Sequence, residues 1–155
     1  MIIIENIQFI DIIEAANMVS KVFAESADSE YSSAGICSFY EKVTEHAIRE
    51  RFFKGCIVNA AKVGGGIIGY IEIINSSHIY LLFVKKEFQN RGVGCRLVDF
   101  SLKQLKQSNP DLHTVTVNST ESAVKLYLKL GFTKMADFQF KNDMITVPMS
   151  KQLKD

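Results

Sequence analysis

The stretch that decides the fold runs from His78 to Leu97 and reads HIYLLFVKKEFQNRGVGCRL. Its first seven residues, His78–Val84, are nearly all apolar or aromatic. A short continuous apolar run of this kind reads as a strand buried on both faces, hence a central one. After Lys85-Lys86-Glu87-Phe88 comes Gln89-Asn90-Arg91-Gly92-Val93-Gly94, and then the period changes. Val93, Leu97, Val98, Phe100, Leu102 and Leu105 predict a helix over Gly92–Lys106. A strand therefore feeds a glycine-bearing turn at a helix N-terminus. The first helical N–H groups have no carbonyl partners and carry the positive end of the helix dipole. Glycines at 92 and 94 leave no side chain to hold an anion away from them, so the turn is a cradle suited to pyrophosphate. Arg91 and Arg96 add cations beside it. The segment is not a GxxxxGK[ST] phosphate loop. Nor is it a GxGxxG dinucleotide fingerprint, because Leu97 stands where the third glycine belongs.

Working outward towards the N-terminus, Cys56–Val63 and Ile67–Ile74 read as strands joined through Gly64-Gly65-Gly66, a hairpin turn. Asn75-Ser76-Ser77 turns the chain again into His78. Upstream, Ile2–Ile4 is a short β-branched strand. Ile12, Ala15, Ala16, Val19, Val22 and Phe23 give helical spacing from Asp11, a candidate cap, to Glu25. Ser26–Ala34 is polar and turn-like. Phe39, Tyr40, Val43, Ala47, Ile48 and Phe52 predict a second helix over Gly35–Phe53. Towards the C-terminus, Asn109-Pro110-Asp111 ends the helix and Thr114–Val117 is a β-branched strand. Glu121–Leu130 is a helix closed by Gly131. Thr133–Phe140 and Met144–Met149 make a hairpin around Lys141-Asn142-Asp143. The order is β-α-α-β-β-β-α-β-α-β-β, a mixed α/β (α+β) sheet flanked by helices.

Composition bounds the function. The chain has 155 residues, 47% hydrophobic and 23% charged, which is the profile of one globular domain over 1–155 and not of a disordered chain. Lys+Arg is 18 against Asp+Glu 17, so no global basic field points to nucleic acid. Cys37, Cys56 and Cys95 are widely spaced and form no CxxC or Cys/His cluster, so no metal site and no disulfide framework is expected. The sparse thiols fit a cytoplasmic protein. The apolar start MIIIENIQFIDIIEAA carries Glu5, Asp11 and Glu14 and lacks the basic region of a signal peptide. No run approaches the ~20 apolar residues of a membrane span.

With these residues on the page, the chain resembles a known family. Gln89-x-x-Gly92-x-Gly94 after a strand ending in Val84 is similar to the acetyl-CoA signature of the GNAT superfamily of N-acetyltransferases. Independently, Val117 to Phe132, VNSTESAVKLYLKLGF, resembles the family's later motif, in which an alanine (Ala123) stands four residues before a tyrosine (Tyr127) and a Leu-Gly-Phe follows. Glu30–Ile36 and Ile145–Met149 look like one bacterial subgroup of small stand-alone acetyltransferases.

The resemblance implies a GNAT-like, mostly antiparallel twisted sheet, with acetyl-CoA as co-substrate, no metal, and a primary amine of a small molecule or peptide as acceptor. Strand His78–Val84 would lie beside Thr114–Val117 and splay from it. Pantetheine would bond to the main chain of Leu82, Phe83 and Val84, and the pyrophosphate would rest on Gln89, Asn90, Arg91, Gly92, Val93, Gly94 and Cys95. Asn118 and Ala123 would border the cofactor. Many relatives have Asn where this chain has Thr120, whose hydroxyl is also a good helix cap. By the same resemblance Tyr127 is the general acid on the leaving thiolate, and a main-chain N–H near Val84 holds the oxyanion. The base is open between His78, a residue type that titrates near neutrality and so suits the task, and Glu72, which on an alternating strand shares a face with Tyr70 and Ile74 and reads as exposed. Asp28 and Glu30 would border the acceptor. Homodimers are a habit of the family. The rival expectation is a non-catalytic CoA-binding sensor or interaction module on the same fold.

Overall fold

The computed structural model describes residues 1–26, 31–141 and 144–154. In chain order the elements are β1 (Ile3–Asn6), α1 (Ile12–Ala24), α2 (Ser33–Lys42), α3 (Glu45–Phe53), β2 (Ile57–Val63), β3 (Gly66–Ile74) and β4 (His78–Val84). There follow α4 (Val93–Ser108), β5 (Thr114–Ser119), α5 (Val124–Lys129), β6 (Thr133–Lys134), β7 (Gln139–Lys141) and β8 (Met144–Gln152). Among the described residues the strands form one eight-stranded sheet in the order β1-β2-β3-β4-β5-β8-β6, with β7 also on β8. All pairs are antiparallel except β4 with β5.

The two faces of the sheet carry separate cores. On one, Val19 and Phe23 of α1, Phe39 of α2 and Ile48 of α3 pack on Ile67 and Tyr70 of β3 and Leu81 of β4. On the other, Val93, Leu97 and Leu105 of α4 and Tyr127 of α5 pack on Ile71, Ile79, Val115 and Val117. This two-sided burial is why β3 and β4 read as continuous apolar runs. Helix α4 approaches closely at Gly69, where a Cβ would stand 2.9 Å from Leu97 Cδ1 and 3.3 Å from Val93 Cγ1.

A bulge in β4 matters for the site. Glu72 pairs with Leu81 but Ile73 pairs with Ile79, so Tyr80 is an extra residue in the ladder. Consequently Tyr80 and Leu81, though adjacent, both pack against the core beneath α1–α3.

Several boundaries differ from the expectations. The helix expected over Gly35–Phe53 is two helices. Val43 leaves helical geometry, and Thr44 starts α3, its Oγ1 accepting from the Ala47 N–H at 3.1 Å. The apolar spacing survives the break because both pieces pack on the same core, which is why periodicity alone reads through it. Ser32 caps α2, accepting from the Gly35 N–H at 3.1 Å. Asp11 is not the side-chain cap of α1; its Oδ2 accepts from the Gln8 N–H at 2.9 Å and from Lys62 Nζ at 3.1 Å. The strand expected over Thr133–Phe140 is two short pieces, β6 and β7. Asn142 and Asp143, the expected hairpin turn, lie outside the described residues.

Candidate active site

Strands β4 and β5 pair only through His78 with Thr116 and Ile79 with Val117. Beyond that point each follows its outer neighbour. β4 stays registered with β3 as far as Val84 opposite Gly69, and β5 stays with β8 as far as Ser119 opposite Val147. The sheet therefore opens between them, and β4 from Leu81 onward has no strand partner on this side. The resulting cleft is lined by β4 from Ile79 to Phe83 and by β5 and its exit from Val117 to Thr120. Ala123 and Tyr127 close it on the α4–α5 side, and Tyr31, Phe39 and Lys42 close it on the α1–α3 side.

The glycine turn lies just past the open end of β4. Asn90 (φ 61°) and Gly92 (φ 80°) are both left-handed, and Gly92 is the N-cap of α4. No acidic residue occupies the first turn of α4, and the Arg96 N–H is the one that reaches back to the Gly92 carbonyl, at 3.0 Å. The N–H groups before Arg96 are thus those a helix leaves unpaired for an anion. Several side chains at the turn are engaged elsewhere. Gln89 Nε2 donates to the Val84 carbonyl at 2.9 Å and ties the turn to the strand. The Val93 side chain is buried in the core. The Arg91 guanidinium lies 5.8 Å from the Phe88 ring centroid. Arg96, expected beside the phosphates, donates instead to the Ile2 carbonyl at 3.0 Å. The Gly94 position faces Leu126 of α5, whose Cδ2 would be 3.5 Å from a Cβ, so this glycine sits where α4 meets α5. Cys95 is half-buried in the first turn of α4.

Tyr127 and Ala123 both line the cleft, as their spacing of one helical turn predicts. The Tyr127 ring is buried, edge-on to Phe132 with centroids 5.3 Å apart. Burial pushes its phenol above the ordinary tyrosine value. Asn118, exposed on β5, reaches the same cleft. Thr120 precedes a turn of 3₁₀ helix, Glu121–Ala123, without capping it; its hydroxyl bonds to Ser122 Oγ at 3.2 Å.

The two base candidates are not brought there. His78 begins β4 at its closed end, with Nδ1 2.7 Å from Thr116 Oγ1, and does not line the cleft. Glu72, expected to be exposed on an alternating strand, is instead fully buried. α3 covers that face, and Arg51 Nε and Nη2 both bond to the Glu72 carboxylate, which also accepts from the Tyr70 hydroxyl at 2.7 Å. Burial would lower the Arg51 guanidinium, but Glu72 more than offsets this and holds it above its ordinary value. Among the described residues lining the cleft there is no histidine, aspartate or glutamate. Asp28 and Glu30, expected near the acceptor, lie outside the described residues. No group of three or more His, Cys, Asp or Glu that could hold a metal occurs among the described residues, and no helix there is long and apolar enough to cross a membrane.

A family model described as an acetyltransferase (GNAT) domain matches residues 27–153. The chain belongs to the GNAT acetyltransferase family. This makes it an acyltransferase by family. The architecture agrees with solved GNAT structures. A PaiA N-acetyltransferase from Thermoplasma acidophilum, in complex with coenzyme A, superposes with a TM-score of 0.83 at 18% identity, covering 99% of each chain. A GNAT-family acetyltransferase from Staphylococcus aureus Mu50 gives 0.77 at 17% identity, covering 99% of this chain and 100% of that one. The ribosomal-protein-S18-alanine N-acetyltransferase from Escherichia coli gives 0.72 at 13% identity, covering 100% and 96%. No curated protein matches the chain at the sequence level.

The lining residues that sequence reading missed include Tyr31, Phe39, Lys42 and Tyr80 on the α1–α3 side of the cleft, and Leu81, Ser119 and Met144 elsewhere on it. Phe39 and Tyr80 read as ordinary core positions. The one signal available was the helix end at Lys42, marked by the following Val43-Thr44 break.

Proposed function

We propose that this acetyltransferase moves the acetyl group of acetyl-CoA to a primary amine of a small molecule or peptide by direct attack of the neutral amine on the thioester. The observation that carries this reading is the open edge of β4 from Leu81, with the Gly92 turn at one end and Tyr127 facing the gap. The coenzyme A held by the Thermoplasma relative supports the choice of donor.

The donor's pantetheine arm lies along the open edge of β4, taking main-chain bonds from Leu82 and Phe83 as an added strand would. Its pyrophosphate rests on the N–H groups of Val93, Gly94 and Cys95 with the dipole of α4 behind them. As the C–N bond forms, negative charge on the carbonyl oxygen is met by a main-chain N–H of the splayed strand near Val84. As the C–S bond breaks, its electron pair goes to sulfur, and Tyr127 meets it. A phenol held above its ordinary value stays protonated throughout the working range, so Tyr127 is a constant hydrogen-bond donor to the thiolate. The amine's proton goes to water, since no described lining side chain is a histidine or a carboxylate.

Gly92→Ala tests the cradle. The added Cβ meets no atom within 4 Å, so the only structural penalty is the left-handed backbone, about 1–2 kcal/mol. The expected result is a folded protein whose KM for acetyl-CoA rises about tenfold, the worth of a lost charge-assisted bond, while KM for S-acetylpantetheine, which lacks the pyrophosphate, is unchanged. Equal losses with both donors would move the phosphates elsewhere.

A further inference from the structure

The α1–α3 side of the cleft has a chemistry of its own. Tyr31, Phe39, Tyr80 and Phe83 make it aromatic, and Lys42 is the only charged side chain among the described residues lining the cleft. The bulge in β4 turns Tyr80 to this side, and two cations sit over its ring: Lys42 Nζ is 5.9 Å from the centroid and the Arg51 guanidinium carbon 5.0 Å. They differ in what else they hold. Arg51 is consumed by Glu72 and also donates to the Lys42 carbonyl at 2.7 Å, which fixes the C-terminal end of α2 against α3. Its charge and that of Glu72 cancel locally. The Lys42 ammonium is paired with no carboxylate among the described residues. Among the described residues, this wall therefore carries one net positive charge above an aromatic floor. Such a wall repels polycations and attracts an apolar body that carries an anion.

We infer that the acceptor is an amine that also bears a carboxylate on an apolar or aromatic body, and that Lys42 is the residue that selects it. The inference rests on the acetyl-transfer reading, because the donor's route along α4 and α5 leaves the α1–α3 wall to the acceptor. The amine attacks from that side while the carboxylate, on the far end of the same molecule, pairs with Lys42. Tyr80 and Phe39 pack the apolar part between them. Tyr80, with the Arg51 guanidinium also over its ring, is a positioning residue for this contact.

The test uses matched acceptors: phenylalanine against its amide, 6-aminohexanoate against hexylamine, and spermidine as a polycation. Acetyl-CoA binding is measured first, by calorimetry, then acceptor binding to the CoA-loaded protein and thiol release with each acceptor. The carboxylate member of each pair is expected to bind more tightly and to give the higher kcat/KM. Lys42→Met, which keeps the aliphatic stem, should cost the carboxylate acceptors about 10- to 100-fold in KM, the range for a bond to a charged group, and leave the neutral partners unchanged. Lys42→Arg should restore the preference. Acetyl-CoA binding with carboxylate acceptors no tighter than their neutral partners, or with spermidine preferred, would overturn the inference and leave acetyl transfer standing. So would a Lys42→Met protein that loses the same factor on both members of a pair. Failure to bind acetyl-CoA at all would instead remove the acetyl-transfer reading, and the acceptor inference with it.

Discussion

Tyr127 is buried yet lines the gap between β4 and β5. The apolar surroundings that raise its phenol also make any bond it donates stronger than in water. Tyr127→Phe keeps the ring contact with Phe132 and removes one oxygen. Turnover is expected to fall about 10²–10³-fold, as for loss of one preorganised donor, while calorimetry gives unchanged CoA affinity and denaturation an unchanged or higher midpoint. A variant with wild-type turnover would take Tyr127 out of the chemistry. The position of Tyr127 on the cleft was legible in the sequence because the signal is local: Ala123, Tyr127 and Gly131 sit within three turns of chain. Glu72 was not, because alternation says which residues share a face and not what covers it. The cover is Arg51, 21 residues away on a different element. Lys42 was invisible for the same reason, since nothing near it in sequence reports that Tyr80 will be turned under it.

At the scale of elements, the α2–α3 break decides where those cations stand. Thr44 ends the continuous helix that periodicity reads, and redirects α3 so that Arg51 reaches both the Glu72 carboxylate and the Lys42 carbonyl. Without the break, residues 42 and 51 would ride one helix about 13 Å apart along its axis. The signal was present, a Thr followed by Glu45 at the start of an apolar run, but the unbroken spacing of Val43, Ala47 and Ile48 overrode it. Thr44→Ala removes the cap bond to the Ala47 N–H. It should lower stability by about 1 kcal/mol, read as a lower urea midpoint at unchanged slope. A change well below that would mean α3 is held by packing of Ile48 and the Arg51–Glu72 pair alone. The bulge in β4 is the complementary device: it is set by the pairing with β3 rather than by any residue in HIYLLFV, so the sequence shows the strand and not the slip within it.

Across the whole molecule, the sheet is a wall with α1–α3 on one side and α4–α5 on the other, and the β4–β5 gap is a passage through it. In the proposed reaction donor and acceptor approach the same carbonyl from opposite faces, and the amine must arrive neutral. Neither His78 nor Glu72 lines the passage, and its described lining residues include no other histidine or carboxylate, so in the proposed reaction the proton leaves to solvent before or during attack. This has a consequence in the pH dependence. Below the pKa of the acceptor, kcat/KM should fall tenfold per unit, because only the neutral fraction attacks. The limb should therefore belong to the amine and not to the protein. The α-amine of a peptide, with an unperturbed value of about 7.7–8.0, and a side-chain amine such as that of 6-aminohexanoate, with a value near that of lysine at about 10.4, should give limbs displaced by roughly 2.5 units. His78→Ala should leave both limbs where they are. Rate profiles with the two acceptors, on wild type and on His78→Ala, decide the matter. A limb near pH 6–7 shared by both acceptors and abolished in His78→Ala would restore that histidine as the base, acting over the length of β4 through water. Limbs that track each amine would establish that the fold supplies alignment and oxyanion contacts and leaves deprotonation to the solvent at the mouth of the passage.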